Sequence, residues 1–242
     1  LGEGVQQKGS LVDPEKLRFD FIHPKAMTDQ ELHTVETLVN GCIEQKLPVY
    51  TAEAPQEQAL KINGLRAVFG EKYPPRVRVV SVGVPVEKLL ADPENKDWRQ
   101  YSVEFCGGTH LSSAGDAQHF LITAEESVSK GIRRLVAVTG PAAKASTVQA
   151  QTIASLIKDS SAAPDADLAP QIAALQKALA LPNVPLLAKR TAQAAIAQLQ
   201  ERHKKWQRNH SAPAAQTESS AAFDALLASA QTLAGVSLIV AS

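Results

Sequence analysis

The 242-residue sequence has few cysteines, no net charge and no long apolar run, and each absence narrows the possible functions. Two cysteines are too few for a disulfide framework, which favours a reducing, intracellular setting. The 25 basic and 25 acidic residues cancel, so a nucleic-acid partner would have to bind a local basic patch. Without a long apolar run or a basic segment ahead of a short apolar one, we expect neither a membrane span nor a secretory signal.

Aromatic residues are also scarce, and their distribution divides the chain. Nine of the eleven lie in residues 1–140, whereas the remainder contains 28 alanines. Large aromatic side chains fill globular cores, while alanine favours slender helical structure. We therefore predict a globular domain over 1–140, a helical linker or hairpin over 141–210, and a linker with the start of another domain over 211–242. The chain opens without methionine and ends inside a predicted strand, so we interpret it as a fragment.

Residues 1–140 predict an α+β fold with a mixed or antiparallel sheet. Leu17, Phe19 and Phe21 alternate with Arg18 and Asp20, which predicts a half-buried strand with a solvated charge pair on its outer face. Further strands are predicted in "LPVYTAEA", "RVRVVSVG", "YSVEFCGG", "QHFLITAEES" and "KGIRRLVAVTG".

Helical patterns in this domain are fewer. The opening residues are interpreted as the end of a helix. Thr28 followed by Glu31 predicts a capping box at the start of an amphipathic helix. A second helix is expected over "PQEQALKINGLRAVFGEKY", with a break at Gly64.

The second region predicts helices throughout. "SSAAPDADLAP" is expected to be a flexible link, and two helices joined at "LPNVP" are expected to form an antiparallel hairpin. "NHSAPAAQTESSAA" predicts a polar linker, followed by a helix and one strand.

The segment "EFCGGTHLSSAG" (104–115) places Cys106 and His110 on either side of a diglycine turn. Thiolate and imidazole are both good zinc ligands, so the pair predicts half of a zinc site, although firm binding needs at least three protein ligands. A nucleophilic thiolate with His110 as its base is a second reading. A buried strand cysteine beside a surface histidine is the third, and the spacing alone leaves all three open.

Three segments indicate a family. "QQKGSLVDPEKLRFDF" (6–21), "VEFCGGTHL" (103–111) and "KGIRRLVAVTG" (130–140), in this order and at these distances, resemble the editing domain of alanyl-tRNA synthetases. The segment "INGLRAVFGEKYPPRVRVVSVGVPVEKLL" (62–90) is similar to the eukaryotic enzymes in particular. The resemblance extends from the C-terminal part of the editing domain through the helical linker to the start of the C-terminal domain.

This resemblance implies hydrolysis of the ester that joins a wrong amino acid, serine or glycine, to tRNA(Ala). In the family, Zn²⁺ is held by an H-x₃-H pair and a C-x₃-H pair. Cys106 and His110 match the second pair, and the two histidines of the first are expected upstream of Leu1. The chain alone is therefore expected to bind zinc weakly or not at all.

The resemblance also implies roles for neighbouring residues. Gln7 matches a position that lines the substrate pocket in the family, although it could also be an ordinary glutamine at the end of a helix. Thr109 would either orient the substrate or cap the turn. One of two adjacent strand arginines would bind the phosphate of the terminal adenosine or form a strand-edge salt bridge. The predicted catalytic residues are Gln7, Cys106 and Thr109, and the predicted tRNA-binding residues are Lys8, Gly9, Gly107, Gly108, Arg133 and Arg134.

Three functions are weighed: the editing portion of an alanyl-tRNA synthetase, a free-standing editing hydrolase, and a non-catalytic tRNA-binding or dimerisation module. The family implies tRNA(Ala) as a partner, a homodimer through the helical or C-terminal region, and ATP and Mg²⁺ only for an aminoacylation domain outside this chain. The basic run "ERHKKWQRNH" (201–210) would contact the tRNA backbone or form a solvated helix end. We expect a cytoplasmic protein, or a mitochondrial copy, without membrane attachment.

Overall fold

The computed structural model describes residues 1–2, 4–68, 72–228, 231–233 and 236–238, with side chains through residue 210. Its helices and antiparallel sheets confirm the predicted α+β class. The strands are β1 (Gln7–Val12), β2 (Leu17–Ile22), β3 (Val49–Pro55), β4 (Arg76–Val82), β5 (Ser102–Phe105), β6 (Phe120–Ser129), β7 (Ile132–Thr139), β8 (Gln231–Leu233) and β9 (Val236–Leu238). The helices are α1 (Asp29–Glu44), α2 (Gln56–Ala59), α3 (Val86–Ala91), α4 (Gly140–Ala162), α5 (Leu168–Leu179) and α6 (Leu186–Ala228).

The chain divides into two compact units. Leu1–Ser155 and Ala178–Ala192 form the first unit, and Leu156–Lys177 and Gln193–Ser242 form the second. Among the helices of the described residues, none combines the length and the apolar character that a membrane span requires.

The larger sheet of the first unit has the strand order β1-β2-β7-β6, and each neighbouring pair is antiparallel. Strand β2 occurs where predicted, but its predicted alternation holds only in part. Phe21 is buried and Leu17 packs against the same apolar cluster, whereas Phe19 is 37% exposed and Asp20 is buried. Leu32 and Ile43 of α1 belong to that cluster as well. Burying a side chain such as Phe21 contributes about 1.5–3 kcal/mol.

The predicted capping box at the start of α1 is confirmed. The hydroxyl of Thr28 accepts a hydrogen bond from the backbone N–H of Glu31, whose carboxylate accepts one from the backbone N–H of Thr28 at 2.7 Å. Further along α1, Asn40 pairs with both backbone groups of Phe120 in β6, each at 2.9 Å. The helix therefore covers an edge strand that would otherwise present unpaired backbone groups.

Charged residues within this sheet are paired across strands. The Arg134 guanidinium donates to both carboxylate oxygens of Asp20, at 2.7 and 2.8 Å. The prediction of a solvated Asp20–Arg18 pair is wrong, because Asp20 is buried and its two oxygens are taken by Arg134. Arg18 lies 3.7 Å from Asp20 as a secondary partner. The bond from Arg134 lowers the pKa of Asp20.

Glu125 is a second paired carboxylate, with a side chain only 1% exposed. It accepts a hydrogen bond from Nε of Arg133, and Nη2 of Arg190 lies 3.5 Å from its other oxygen. Arg190, near the start of α6, also donates to the carboxylate of Asp29 at 2.6 Å and to the carbonyl oxygen of Met27 at 3.0 Å. The carboxylate of Glu125 thus connects β6 and β7 with the first turns of α6.

The smaller sheet has the order β3-β4-β5, again antiparallel. Val79 and Val103 are buried between this sheet and α3, which contributes Val86 and Leu89 to the same cluster. This second core positions β5, which runs directly into the Cys106–His110 turn.

Two further predictions for the first unit are wrong. Residues 7–12 form strand β1 rather than the end of a helix, because a turn brings them back against β2. The Asp13 carboxylate accepts the N–H groups of Glu15 and Lys16 in that turn, at 2.9 and 2.8 Å. Such an Asp-Pro turn is a recognisable sequence signal.

The prediction of a second long helix is also wrong, because only Gln56–Ala59 of that segment are helical. Gly64 has a φ of +85°, and a Cβ there would lie 2.9 Å from the Cα of Arg99. The backbone of Arg66 then pairs with β5 instead of continuing a helix. Tertiary hydrogen bonds therefore override the helical pattern of this segment.

Along residues 140–228, the helices and the turn at "LPNVP" occur where predicted, but the prediction of a flexible link is wrong. α4 continues to Ala162, and a 3₁₀ turn at Asp165–Asp167 leads directly into α5. Arg202 of α6 donates to the Asp165 carboxylate at 2.6 Å and to the carbonyl oxygen of Ala163 at 3.1 Å, which fixes this segment. The prediction of a polar linker is wrong as well, since α6 extends to Ala228. After this helix the chain forms two strands, β8 and β9, where one strand was predicted.

Candidate functional site

Three potential metal ligands meet at the end of β5. Glu104, Cys106 and His110 each place one donor atom within 4.8 Å of the other two. Glu104 and Cys106 are two residues apart along an extended chain, so their side chains point to the same side. The Gly-Gly turn then returns His110 to the thiol. In the part of the chain that the structure describes, no other three histidine, cysteine or acidic side chains bring their donor atoms this close together.

Arg78 of β4 holds the turn that carries these ligands. Its Nη1 donates to the carbonyl oxygen of Gly108 and lies 3.5 Å from that of Cys106. The backbone carbonyl of Arg78 accepts the N–H of Cys106 at 3.2 Å. One arginine therefore fixes both ends of the diglycine segment.

The Glu104 carboxylate is partly buried and, among the described residues, takes part in no hydrogen bond or ion pair. Burial raises its pKa, and the nearby His110 opposes that shift. A carboxylate in this state is an available ligand or hydrogen-bond acceptor rather than part of a structural ion pair.

A cleft opens in front of the three ligands. Its inner part has a volume of about 340 Å³ and exposes Cys106, Gly107 and Glu104 beside Gln7 and Phe19. An adjoining part of about 770 Å³ shares Gln7, Phe19 and Glu104 and continues to Arg66. The cleft therefore leads from the β1–β2 hairpin to the Cys106 turn, with polar and apolar groups on its walls.

The structure brings some predicted site residues together and leaves others apart. Gln7 lines both parts of the cleft, and its amide donates to the Ser10 hydroxyl at 3.2 Å. Gly108 lies against the thiol of Cys106, since a Cβ on Gly108 would lie 3.5 Å from Cys106 Sγ. Thr109 and Lys8 are exposed and line none of these clefts, and Gly9 lies over Asp20 instead.

Arg133 and Arg134 are both held by carboxylates, as in the salt-bridge alternative. Arg134 binds Asp20 with two hydrogen bonds, and Arg133 binds the buried Glu125. Neither arginine lines the cleft described above. Their assignment as tRNA-binding residues stays a prediction, and the structure gives each of them a partner within the fold.

The other candidate ligands in the chain lie elsewhere. Cys42 is on α1, His33 contacts Thr37 on the same helix, and Nδ1 of His23 lies 2.6 Å from the carbonyl oxygen of Lys25. None of them joins Glu104, Cys106 and His110 among the described residues.

Sequence reasoning missed Glu104, Arg66 and Arg78. The two-residue spacing from Glu104 to Cys106 in a predicted strand was a usable signal, because alternate residues share a face. Arg78 and Arg66 had no comparable signal, since their placement depends on pairing between distant segments.

The donor set fits zinc in type. Thiolate, imidazole and carboxylate are all zinc ligands, and three protein ligands suffice for a site that keeps one open position. Bond lengths of about 2.0–2.3 Å place tetrahedral ligands roughly 3.3–3.8 Å apart, so donors within 4.8 Å of one another need only a small contraction.

The comparisons with known proteins find relatives for the part of the chain that carries this site. Residues 77–136 match the family described as "Threonyl and Alanyl tRNA synthetase second additional domain". The matched segment is about a quarter of the chain. It includes Arg78, Glu104, Cys106 and His110, whereas Gln7 and Arg66 lie outside the matched range.

Relatives extend the similarity. The mitochondrial alanine–tRNA ligase of Saccharomyces cerevisiae is 57% identical over 140 residues, which are 58% of this chain and 14% of that ligase. The alanine–tRNA ligase of Candida albicans is 56% identical over the same shares of the two chains, 58% and 14%. The cytoplasmic alanine–tRNA ligase of Dictyostelium discoideum is 54% identical over 58% of this chain and 15% of that ligase. The predicted resemblance to alanyl-tRNA synthetases is confirmed, and the chain spans 14–15% of the length of these curated relatives.

Proposed function

We propose that the chain is the proofreading part of an alanine–tRNA ligase and hydrolyses the ester between a wrong amino acid, serine or glycine, and the 3′ end of tRNA(Ala). The similarity to alanine–tRNA ligases and the match to the second additional domain support this assignment. The observation that carries it is the cluster of Glu104, Cys106 and His110 at the end of β5, where Glu104 and Cys106 also line the cleft.

The need for such a reaction is physical. An apolar pocket distinguishes substrates that differ by one methylene by only about 1–3 kcal/mol, and it rejects an added hydroxyl no better. An activating site for alanine therefore cannot exclude glycine and serine well enough by binding alone. A second site that hydrolyses the wrong product supplies the missing discrimination.

Within the site, Cys106 and His110 would hold Zn²⁺, with two histidines upstream of Leu1 as the remaining ligands. A bound zinc ion would supply positive charge that polarises the reacting groups and a template for the aminoacyl end. Glu104 is the carboxylate among the described lining residues, so it is available to the ammonium group of the ester or to the attacking water. Gln7 on the opposite wall would orient the substrate through its amide.

The remaining assignments rest on the relatives. We infer tRNA(Ala) as the partner, ATP and Mg²⁺ as cofactors of an aminoacylation domain elsewhere in the full-length protein, and a homodimer formed through the helical or C-terminal region. The relatives include mitochondrial and cytoplasmic ligases, and we infer a cytoplasmic protein.

Deacylation of Ser-tRNA(Ala) by the full-length protein tests this function. We expect Cys106→Ala to slow hydrolysis at least about 100-fold, since removal of a metal-ligating thiolate abolishes the charge stabilisation that the metal provides. Cys42→Ala is the matched control, because Cys42 lies on α1 outside the ligand group, and it should hydrolyse at the wild-type rate.

Unchanged hydrolysis by Cys106→Ala would contradict the mechanism. A wild-type protein that binds tRNA(Ala) without deacylating it would instead favour the non-catalytic binding module. Hydrolysis by a polypeptide that carries no aminoacylation domain would favour a free-standing editing enzyme.

A further inference from the structure

We propose that Arg66 binds a backbone phosphate near the 3′ end of the RNA whose aminoacyl ester lies at Glu104, Cys106 and His110. This inference rests on the proposed function and adds to it the group that holds the terminal nucleotides. Four observations support it.

The backbone of Arg66 is fixed beside the ligand group. Its N–H donates to the carbonyl oxygen of Val103 at 2.8 Å, and its carbonyl oxygen accepts the N–H of Phe105 at 3.0 Å. These bonds form a parallel bridge between Arg66 and Glu104. Neighbouring strands lie about 4.8 Å apart, so the backbones of Arg66 and Glu104 are one strand spacing apart.

The side chain of Arg66 faces the cleft. It lines the 770 Å³ part together with Gln7 and Glu104, and it also lines an adjoining cleft of about 460 Å³. A ligand that extends from the Cys106 end into this adjoining part of the cleft would lie beside Arg66.

No carboxylate pairs with Arg66 among the described residues, and its side chain is exposed. The other arginines near the site are engaged: Arg133 and Arg134 bind Glu125 and Asp20, and Arg78 binds the carbonyls of the turn. Among these four arginines, Arg66 is the one whose side chain no described residue pairs.

The chemistry of the two groups matches. A guanidinium presents a planar fork of donors that suits phosphate, and it stays charged at any physiological pH. The proposed substrate carries its ester and its last phosphate on the same terminal nucleotide. A cleft with the ligand group at one end and an arginine further along fits that arrangement.

The test measures binding of an uncharged RNA hairpin that ends in CCA, at several salt concentrations, with the full-length protein. Loss of one phosphate contact should reduce the slope of log K against log salt by about 0.7–0.9. We expect this reduction for Arg66→Ala and a smaller one for Arg66→Lys, which keeps the charge but loses the fork. Arg76→Ala is the matched control, because Arg76 pairs with the exposed Glu53 and lines none of the clefts.

Deacylation of Ser-tRNA(Ala) supplies a second readout. Arg66→Ala should raise KM about tenfold and leave kcat within about twofold, because the contact holds the RNA in both ground and transition states. Arg66→Gln, which keeps most of the side-chain volume, replaces Arg66→Ala if the alanine variant unfolds.

The outcomes separate the two proposals. If wild type deacylates and binds RNA but Arg66→Ala shows the wild-type salt slope and KM, the assignment of Arg66 is wrong and the hydrolase proposal stands. If wild type neither binds the hairpin nor deacylates Ser-tRNA(Ala), the proposed function fails and the assignment of Arg66 fails with it.

Discussion

The two sheets of the first unit differ in whether their buried carboxylates are paired with arginines. In the larger sheet, the carboxylates of Asp20 and Glu125 are each bound by an arginine on β7, and the pairs connect secondary-structure elements. At the end of the smaller sheet, the Glu104 carboxylate has no such partner among the described residues. It lies within 4.8 Å of the thiol of Cys106 and the imidazole of His110, and it lines a cleft together with Cys106. Paired charge stabilises a fold, whereas an unpaired carboxylate beside metal-ligand side chains is available for chemistry.

The largest loss of folding stability is expected when the buried pair of Glu125 and Arg133 in the larger sheet is broken. Glu125→Gln leaves the guanidinium of Arg133 without its counter-ion in a largely buried position, which costs about 3–5 kcal/mol of folding free energy. The adjacent Glu126→Gln is the control, because that carboxylate is 57% exposed and 3.8 Å from Arg134, and it should cost less than about 1 kcal/mol. Urea denaturation measures both, and equal costs would show that pairing does not distinguish the two positions.

A smaller loss is expected for the second pair. Asp20→Asn removes a bidentate, charge-assisted contact with Arg134 and should cost about 1.5–3 kcal/mol. Because the folded state lowers the pKa of Asp20, this contribution is complete above the ordinary carboxyl pKa of about 3.9 and disappears as the pH falls below it. Denaturation at pH 7 and pH 2 measures the difference, and a gap between wild type and variant that stays constant would contradict the assignment.

The next effect concerns metal affinity. Arg78→Ala removes the donor that fixes the Cys106–Gly108 turn, and outer contacts of this kind typically contribute 10–100-fold to metal affinity. Zinc competition against a chelator measures it, with Arg76→Ala, two residues earlier on β4, as the control. Equal zinc affinity in both variants would mean that the turn holds its ligands without Arg78.

The smallest effect should have the opposite sign. In metal-free protein, Glu104→Gln is expected to stabilise the fold, raising the free energy of unfolding by about 0.5–1 kcal/mol at pH 7. The reason is that it removes a carboxylate that no described residue pairs. Burial raises the pKa of Glu104, so the cost of its charge is absent below about pH 4.3 and grows as the pH rises through the folded pKa. A destabilised variant at pH 7 would show that Glu104 is structural, as Asp20 is.

The sequence predicted features whose signals are local. The capping box of Thr28 and Glu31, the strand β2 and the diglycine turn between Cys106 and His110 each depend on a few neighbouring residues. The predicted second helix was wrong because the backbone bonds of Arg66 to β5 come from a distant segment.

The site was predicted in part for the same reason. Cys106 and His110 form one short motif, and Glu104 was within reach of a strand-alternation argument. The engagement of Arg133 and Arg134 by carboxylates depends on cross-strand register, since Arg134 lies opposite Asp20 across β2 and β7. Register between strands separated by about a hundred residues is not readable from one sequence, so the phosphate-binding role was expected at a paired arginine.

Cobalt(II) titration of the full-length protein tests most directly whether the unpaired group is a metal site. A thiolate bound to cobalt gives a ligand-to-metal charge-transfer band, so the account predicts this band in wild type and in Cys42→Ser, and its loss in Cys106→Ser. A protein without the band, or a band that survives in Cys106→Ser, would contradict the claim that this cysteine binds the metal.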